Sequence, residues 1–256
     1  MNSAFFVERI RNRWAEPVGA TEEMARTLKA KPLLLEWYRG IYRFLADRRA
    51  PGQRNLEIGS GSSLLHEHVP DLTTSNILDL DNIDLACSAY ELPFHDRVLD
   101  NIFLISVLHH LADPLGFLKE ASRVLRIEGR VLISDPYVSA LSWVPWMKLH
   151  PEYCDLSQLG FEPSNPPNPL ADANSANLTI LFGPGTRSED QITPLVLDTF
   201  RFHSKFHYWL AGGYNFPQFL PTRWLPAIVA AERLLSPFDR FLASFAFVVL
   251  RKAAPK

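Results

Sequence analysis

The chain has 256 residues, 47% of them hydrophobic and 21% charged, enough apolar side chain to bury a full α/β core as one domain with elaborations. Its 26 basic and 28 acidic side chains nearly cancel, which argues against a nucleic-acid backbone as the main partner, because phosphate neutralisation needs a basic surplus. Two cysteines, Cys87 and Cys154, are too few for a disulfide framework and lack metal-ligand spacing, so a reducing cytoplasm is the expected setting.

Met1 to Val7 is followed at once by Glu8 and Arg9, without the basic leader or long apolar region of a secretion signal, and no cleavage is expected. Between Glu22 and Arg49 apolar residues recur at helical spacing, with Pro32 dividing the stretch into two helices and Pro51-Gly52 closing an N-terminal helical segment at 1–52. From 53 to 256 the elements alternate. A strand is predicted at Arg54 to Ile58, a helix from about Ser62, a strand at Thr74 to Leu78 and a short strand near Leu85. A strand at Asn101 to Ser106, a helix at Pro114 to Leu125 and a strand at Arg130 to Ser134 follow. Such alternation means a parallel sheet with crossover helices.

Residues 137–190 break the pattern. They are rich in Pro, Asn and Ser, with four prolines between Pro163 and Pro169, and read as a cap insertion of the lid or binding-loop type. Strands at Val196 to His203 and Phe245 to Lys252 close the sheet, and 208–242 between them forms a second cap of aromatic, Pro-rich helical segments. The apolar run from Phe241 to Leu250 is interrupted by Ser244 and is about half the length of a bilayer-spanning helix, so it reads as a buried strand.

The most informative stretch is Asn55-Leu56-Glu57-Ile58-Gly59-Ser60-Gly61-Ser62-Ser63, a buried strand that ends in an acid and breaks into a glycine-rich turn. Gly59 and Gly61 permit positive φ and a close backbone approach to a small ligand. A dinucleotide turn places a third glycine where this chain has Leu64, which disfavours a nicotinamide oxidoreductase. The pattern Glu57-Ile58-Gly59-Ser60-Gly61 instead resembles motif I of the S-adenosylmethionine-dependent methyltransferases. Further blocks follow in that family's order: Tyr90-Glu91-Leu92-Pro93-Phe94, Leu99 to Phe103, Val107 to Leu111, Asp113-Pro114, and Arg123 to Leu132. From Asn55 to Pro136 the resemblance is to the ubiquinone-biosynthesis-like group. Beyond it, Asp135 to Val138, Leu149 to Glu152 and Leu210 to Gly213 look like an uncharacterised bacterial subgroup.

The resemblance implies a Rossmann-like α/β fold: a seven-stranded, mostly parallel sheet with helices on both faces, the last strand antiparallel, and cap insertions at 137–190 and 208–242 of a domain spanning 53–256. It implies S-adenosylmethionine as cofactor, with Glu57 facing the methionine amino group and Gly59, Ser60 and Gly61 lining methionine and ribose. Asn76, at the end of the second strand, stands where the family has an acid for the ribose hydroxyls. Asp79 and Asp81 are nearby substitutes. Ser88 and Ala89 stand at the adenine position, again without the usual acid, and Ser106 faces the sulfonium. These departures keep open a second reading, a catalytically decayed binding protein on the same scaffold.

Methyl transfer from a sulfonium is an in-line displacement with a neutral leaving group, so alignment and water exclusion do most of the work. A hydroxyl acceptor is helped by a nearby base, for which the candidates are His150 with Glu152, then His110. The adjacent His109 and His110 read equally as packed, capped histidines, and His66 and His68 lack the spacing of a zinc site, so no metal is expected. Trp143, Trp146, Tyr208, Tyr214 and Trp224 serve either as core or as a pocket for a small-molecule, glycan or lipid-linked acceptor, and Trp143, Trp146 and Trp224 beside Arg223 and Lys148 also fit a peripheral membrane contact.

Overall fold

The structure, a computed structural model, describes residues 14–186 and 188–254. The Met1 to Val7 reading lies outside the described residues. Two helices open the described chain, α1 (Pro17–Ala30) and α2 (Pro32–Ala46), each with proline in its first turn, where the missing N–H costs nothing. Glu16 caps α1 by accepting from the Val18 and Gly19 amides. Helix α2 buries Leu33, Leu34, Trp37, Tyr38, Ile41, Tyr42 and Leu45, the one-sided stripe its periodicity predicts.

The sheet is built from β1 (Asn55–Ile58), β2 (Leu72–Asn76), β3 (Leu85–Ala86), β4 (Leu99–Ile105), β5 (Leu125–Pro136), β6 (Leu195–His203) and β7 (Phe245–Lys252). Its order is β3-β2-β1-β4-β5-β7-β6. β1 to β5 pair in parallel, and β7 inserts antiparallel between β5 and β6. This is the Rossmann-like seven-stranded arrangement expected, with the last strand antiparallel.

Both faces of the central strands are buried, and alternate residues go to different cores. Ile102 and Leu104 of β4 join Val131 and Ile133 of β5 against Phe117, Leu118 and Ala121 of helix α3 (Pro114–Val124). Phe103, Ile105 and Leu132 face the other way, into the cluster formed with α2, Phe247 and Val249. Each large side chain so buried contributes roughly 1.5–3 kcal/mol relative to exposure.

One expected element is missing. The helix predicted from Ser62 is a single 3-10 turn, Leu65–Glu67. Only Ser62 to Asp71 separates the glycine turn from β2, and Pro70 closes that interval, so no room is left for a crossover helix. Helix α2 covers the space instead, and the Tyr42 hydroxyl accepts the Leu64 amide at 3.1 Å.

The excursion after β5 is irregular but tightly stitched. Asn174, 1% exposed, donates its Nδ2 to the carbonyls of Asp155, Gln158 and Gly160, while its Oδ1 accepts the amides of Asp155 and Ala176. Its own amide donates to the His109 carbonyl at 2.7 Å. Asn177, at the start of helix α4 (Asn177–Phe182), donates to the Leu108 and Leu111 carbonyls and accepts the Gly160 amide. These side chains do for a long loop what a ladder does for a strand, and they fasten it to the loop after β4. In the second cap, helix α5 (Leu225–Leu234) buries only Ile228. Among the described residues no helix is long and apolar enough to cross a membrane.

Candidate active site

Strand order reverses between β1 and β4, and ligands in open α/β sheets bind outside the carboxyl ends of the strands at such a point. A cavity of about 540 Å³ opens there, within the size range of small-molecule sites. It is not filled by the protein's own side chains.

The glycine turn forms one wall. Gly59 has φ +74, and a Cβ there would stand 2.4 Å from Val107 Cγ2, so this position needs glycine both for its dihedral and for its contact with the β4 loop. Gly61 is pressed from the other side by Thr21 of α1, whose Cγ2 would lie 2.6 Å from an added Cβ. Helices α1 and α2 thus close the cavity with Thr21, Met24, Tyr38 and Tyr42, a contribution that sequence reading did not assign to them. Tyr214 of the second cap completes this side, its hydroxyl 3.2 Å from Ser62 Oγ.

Asn76, Ser88, Ala89 and Ser106 all line the cavity, as do Gly59 and Gly61. Asp79 and Asp81 do not line it and are exposed. Asn76 Oδ1 is committed to the Leu78 amide at 3.0 Å, and Ser88 Oγ to the Tyr90 amide at 3.2 Å. Ser106 holds φ 55 at the end of β4, a left-handed conformation uncommon outside glycine and characteristic of functional turns. Glu57 and Ser60 are buried behind the turn rather than in the cavity wall. Burial raises the Glu57 carboxyl to about 7, against the opposing effect of the Ser63 and Ser60 hydroxyls.

At the other end of the cavity lies a constellation that only the fold assembles. His109 and His110 come from the 3-10 turn Leu108–His110 after β4, Asp135 from the end of β5, and His150 with Glu152 from the excursion. Asp135 is fully buried and accepts twice from His109, Oδ2 from the backbone amide at 2.8 Å and Oδ1 from ring Nδ1 at 2.9 Å. Burial raises the Asp135 carboxyl above its ordinary range, against the opposing effect of the His109 charge and hydrogen bonds. Burial alone would lower the His109 imidazole, but the charges of Asp135 and Glu152 outweigh it and push it up to about 10.

Glu152, 8% exposed, collects the rest. His109 Nε2 is 3.2 Å from Oε2, His110 Nε2 3.7 Å from Oε1, and His150 Nδ1 3.4 Å from Oε2. Burial alone would raise this carboxyl; the three imidazoles, His150 first, hold it below the ordinary range. His110 Nδ1 meets the Asp172 carbonyl at 3.1 Å and must therefore carry its proton, which leaves Nε2 as a lone pair. Burial, aided by the charge on His109, lowers this imidazole to about 4. Burial also lowers His150, whose Nδ1 is buried without a hydrogen-bond partner. The structure brings together Gly59, Gly61, Asn76, Ser88, Ala89, Ser106, His110, His150 and Glu152 around one cavity. His109 and Asp135 are the members the sequence reading did not place in the site.

This half of the sheet, from the glycine turn through the histidine pair to β5, has a counterpart in known families. Residues 56–133 match the methyltransferase domain family. The matched segment runs from β1 to within β5 and carries Glu57, the glycine turn, Ser106 and both adjacent histidines, while His150 and Glu152 fall in the excursion beyond it. No curated protein matches the sequence. Among solved structures the chain is similar to the cyclase SpnF, at 13% identity and TM-score 0.48, covering 84% of this chain and 82% of that one. It is similar to geranyl diphosphate C-methyltransferase from Streptomyces coelicolor A3(2), solved with Mg2+, geranyl diphosphate and S-adenosyl-L-homocysteine, at 13% identity and TM-score 0.47, covering 86% and 81%. It is also similar to the YcgJ protein of Bacillus subtilis, at 14% identity and TM-score 0.46, covering 85% and 100%. At this distance such likenesses say nothing of substrate.

Proposed function

We propose that the chain is an S-adenosylmethionine-dependent methyltransferase, working in the cytoplasm, that moves a methyl group to an oxygen of a small-molecule, glycan or lipid-linked acceptor. The observation that carries this reading is the single cavity that joins the glycine turn at the end of β1 to His110, His150 and Glu152. The cofactor's adenosine would lie toward Asn76, Ser88 and Ala89, its methionine along Gly59 and Gly61, and its methyl group toward Ser106 and the histidines. The leaving thioether departs neutral, so the protein's tasks are to align the acceptor and exclude water. His150, with Nδ1 unpaired beside the Glu152 carboxylate, is placed to take the acceptor's proton, and Glu152 would stabilise the imidazolium that forms.

A ligand that binds only the native state raises its stability by about 2.7 kcal/mol at a hundredfold excess over Kd. S-adenosylmethionine and its demethylated product should therefore each raise the thermal midpoint, and Asn76→Asp or Ser88→Asp should enlarge the rise by supplying the missing acid. Absence of any shift at millimolar ligand would sink the reading. The second reading, a decayed binding protein, is favoured by the commitments of Asn76 and Ser88 to backbone amides, and it predicts a shift only in the restored variants.

The lipid-linked class of acceptor is favoured by the surface beside the site. Trp143, Val144 and Met147 are exposed on the turn whose Trp146 lines the cavity, and the Leu141 amide joins them to the Phe241 carbonyl of the second cap. There Trp224, Leu234, Phe238 and Phe241 are exposed in turn, Leu234 by 80%. The exposed charges among them, Lys148, Arg223, Arg233 and Arg240, are all basic, while Glu232 caps the 205–207 amides and Asp239 pairs with Lys205. Aromatic and aliphatic side chains ringed by cations suit an anionic lipid surface, at about 1 kcal/mol per basic residue. The protein should sediment with vesicles containing phosphatidylserine and not with purely zwitterionic ones, and the double variant Trp224→Ser, Phe238→Ser should reduce that binding at least severalfold. Equal retention by both vesicle types, or none by either, would remove this surface from the account.

A further inference from the structure

The cluster at the inner end of the cavity gathers three potential ligand atoms from separate elements, two imidazole Nε2 atoms and a carboxylate oxygen. His110 donates Nδ1–H to the Asp172 carbonyl, so its Nε2 lone pair points toward Glu152 Oε1 across 3.7 Å. His109 is held through Nδ1 by Asp135, which aims Nε2 at Glu152 Oε2 across 3.2 Å. The two imidazole nitrogens and the carboxylate all lie within 4.8 Å of one another. Ligand atoms each about 2.1 Å from a common ion stand roughly 3.0–3.4 Å apart at octahedral or tetrahedral angles, so the spacing is that of a coordination shell slightly relaxed without its ion. Both histidines also have the outer partner that metal-bound imidazoles usually have, a carboxylate for His109 and a backbone carbonyl for His110, which fix the ring and direct Nε2 toward Glu152; an ion there takes the place of the His109 Nε2 proton, which is released.

We propose that His109 Nε2, His110 Nε2 and the Glu152 carboxylate bind one divalent first-row transition ion, with Asp135 and the Asp172 carbonyl as outer-shell supports and the open coordination positions facing the cavity. Two imidazoles and one carboxylate suit Zn2+, Fe2+, Co2+ or Mn2+ better than Ca2+ or Mg2+, which prefer oxygen donors. All three ligands line the cavity, so an ion can enter from it and an oxygen of an acceptor can occupy an open position. His150 stays outside the shell, near the bound oxygen. The sequence could not suggest this site, because its spacing rules examine ligands close in the chain, while Glu152 follows His110 by a whole helix, strand and turn. The metal site goes beyond the transferase reading and does not require it.

The test uses the untagged full chain, stripped with chelator and dialysed against Zn2+ or Co2+ separately. One equivalent of metal retained per chain, a Co2+ absorption spectrum of a nitrogen-containing site and a raised thermal midpoint are expected. His110→Gln and Glu152→Gln should weaken Zn2+ binding at least a hundredfold, and Asp135→Asn tenfold or more, while His66→Ala, on an exposed turn, should bind as the parent does. Should Glu152→Gln fail to fold, His110→Gln decides, since that ring is the more exposed of the two ligands' side chains. Binding weaker than millimolar in the parent, or unchanged in His110→Gln, would overturn the proposal and leave the cluster as a proton-bridged ion pair. Calorimetric titration with S-adenosylmethionine on the stripped and loaded chains separates the two ideas. Zn2+ bound without cofactor affinity removes the transferase reading alone, and cofactor bound without Zn2+ removes the metal alone.

Discussion

Glu57→Gln should make the ligand-free protein more stable at pH 8 by up to about 3 kcal/mol, or roughly 6 °C or more in Tm. The carboxyl is 2% exposed, and burial raises its pKa from 4.5 to about 7. A carboxyl whose folded-state pKa is raised binds its proton more tightly when folded. Stability is therefore highest below about pH 4.5, falls as pH rises toward 7, and carries the full penalty above that. The amide removes the penalty, so the gain over the parent should be large at pH 8, small at pH 5 and absent below about pH 4.5. An acid held behind a glycine turn at such a cost is the arrangement expected of a group waiting for a cation. On the proposed function that cation is the cofactor's ammonium, on which Glu57 acts from behind the glycine turn, so the same substitution should shrink the midpoint shift given by S-adenosylmethionine. In the parent, cofactor affinity should decline as pH drops below 7, because the carboxyl must then lose a proton to bind. Thermal unfolding across pH 5 to 8, with and without ligand, checks both signs. A variant less stable than the parent at pH 8 would show that the Ser60 and Ser63 contacts, not the buried charge, dominate at this position.

Where local pattern and tertiary demand agreed, the sequence was readable. The alternation of β1 to β5, the break at Pro32 and the full length of β7 follow from periodicity and proline chemistry, and the observed elements lie within a few residues of the expected ones. The helix from Ser62 failed because an amphipathic-looking run, Leu64-Leu65-His66-Glu67-His68-Val69, is too short before Pro70 to pay for helix nucleation, and α2 already supplies the packing. The cofactor side of the site was legible for the same reason the turn was: two glycines next to an acid are constrained within a few residues. The His109, Asp135 and Glu152 cluster was not, since no local signal links a loop histidine to a carboxylate two elements away. One rule would have pointed to it. Asp135 at the carboxyl end of β5 and the His109-His110 pair just after that of β4 share the edge where ligands collect, and the excursion carrying His150 and Glu152 starts from that same edge.

That excursion is braced from within by one side chain, so Asn174→Asp should loosen it. The substitution is isosteric and keeps Oδ1 as acceptor for the Asp155 and Ala176 amides, but it replaces the Nδ2 donors with an oxygen facing the carbonyls of Asp155, Gln158 and Gly160. One buried and two part-buried acceptors lose their donor and meet a negative charge, at a cost of about 3 kcal/mol. Gly160 cannot relieve the strain by moving: it has φ +75 and packs against the Ala112 carbonyl so closely that an added Cβ would stand 2.0 Å from it. The excursion should therefore loosen as a unit, exposing 137–194 to proteolysis and drawing His150 and Glu152 away from His109 and His110. The cofactor half depends on β1, β2, β4 and the N-terminal helices, none of which Asn174 touches. Asn174→Asp should thus keep the midpoint shift given by S-adenosylmethionine while losing Zn2+ retention and methyl transfer together. If cofactor binding fell along with them at a temperature where the variant is still folded, the two halves of the cavity would be one cooperative unit, and the division of labour between turn and cluster would have to be abandoned.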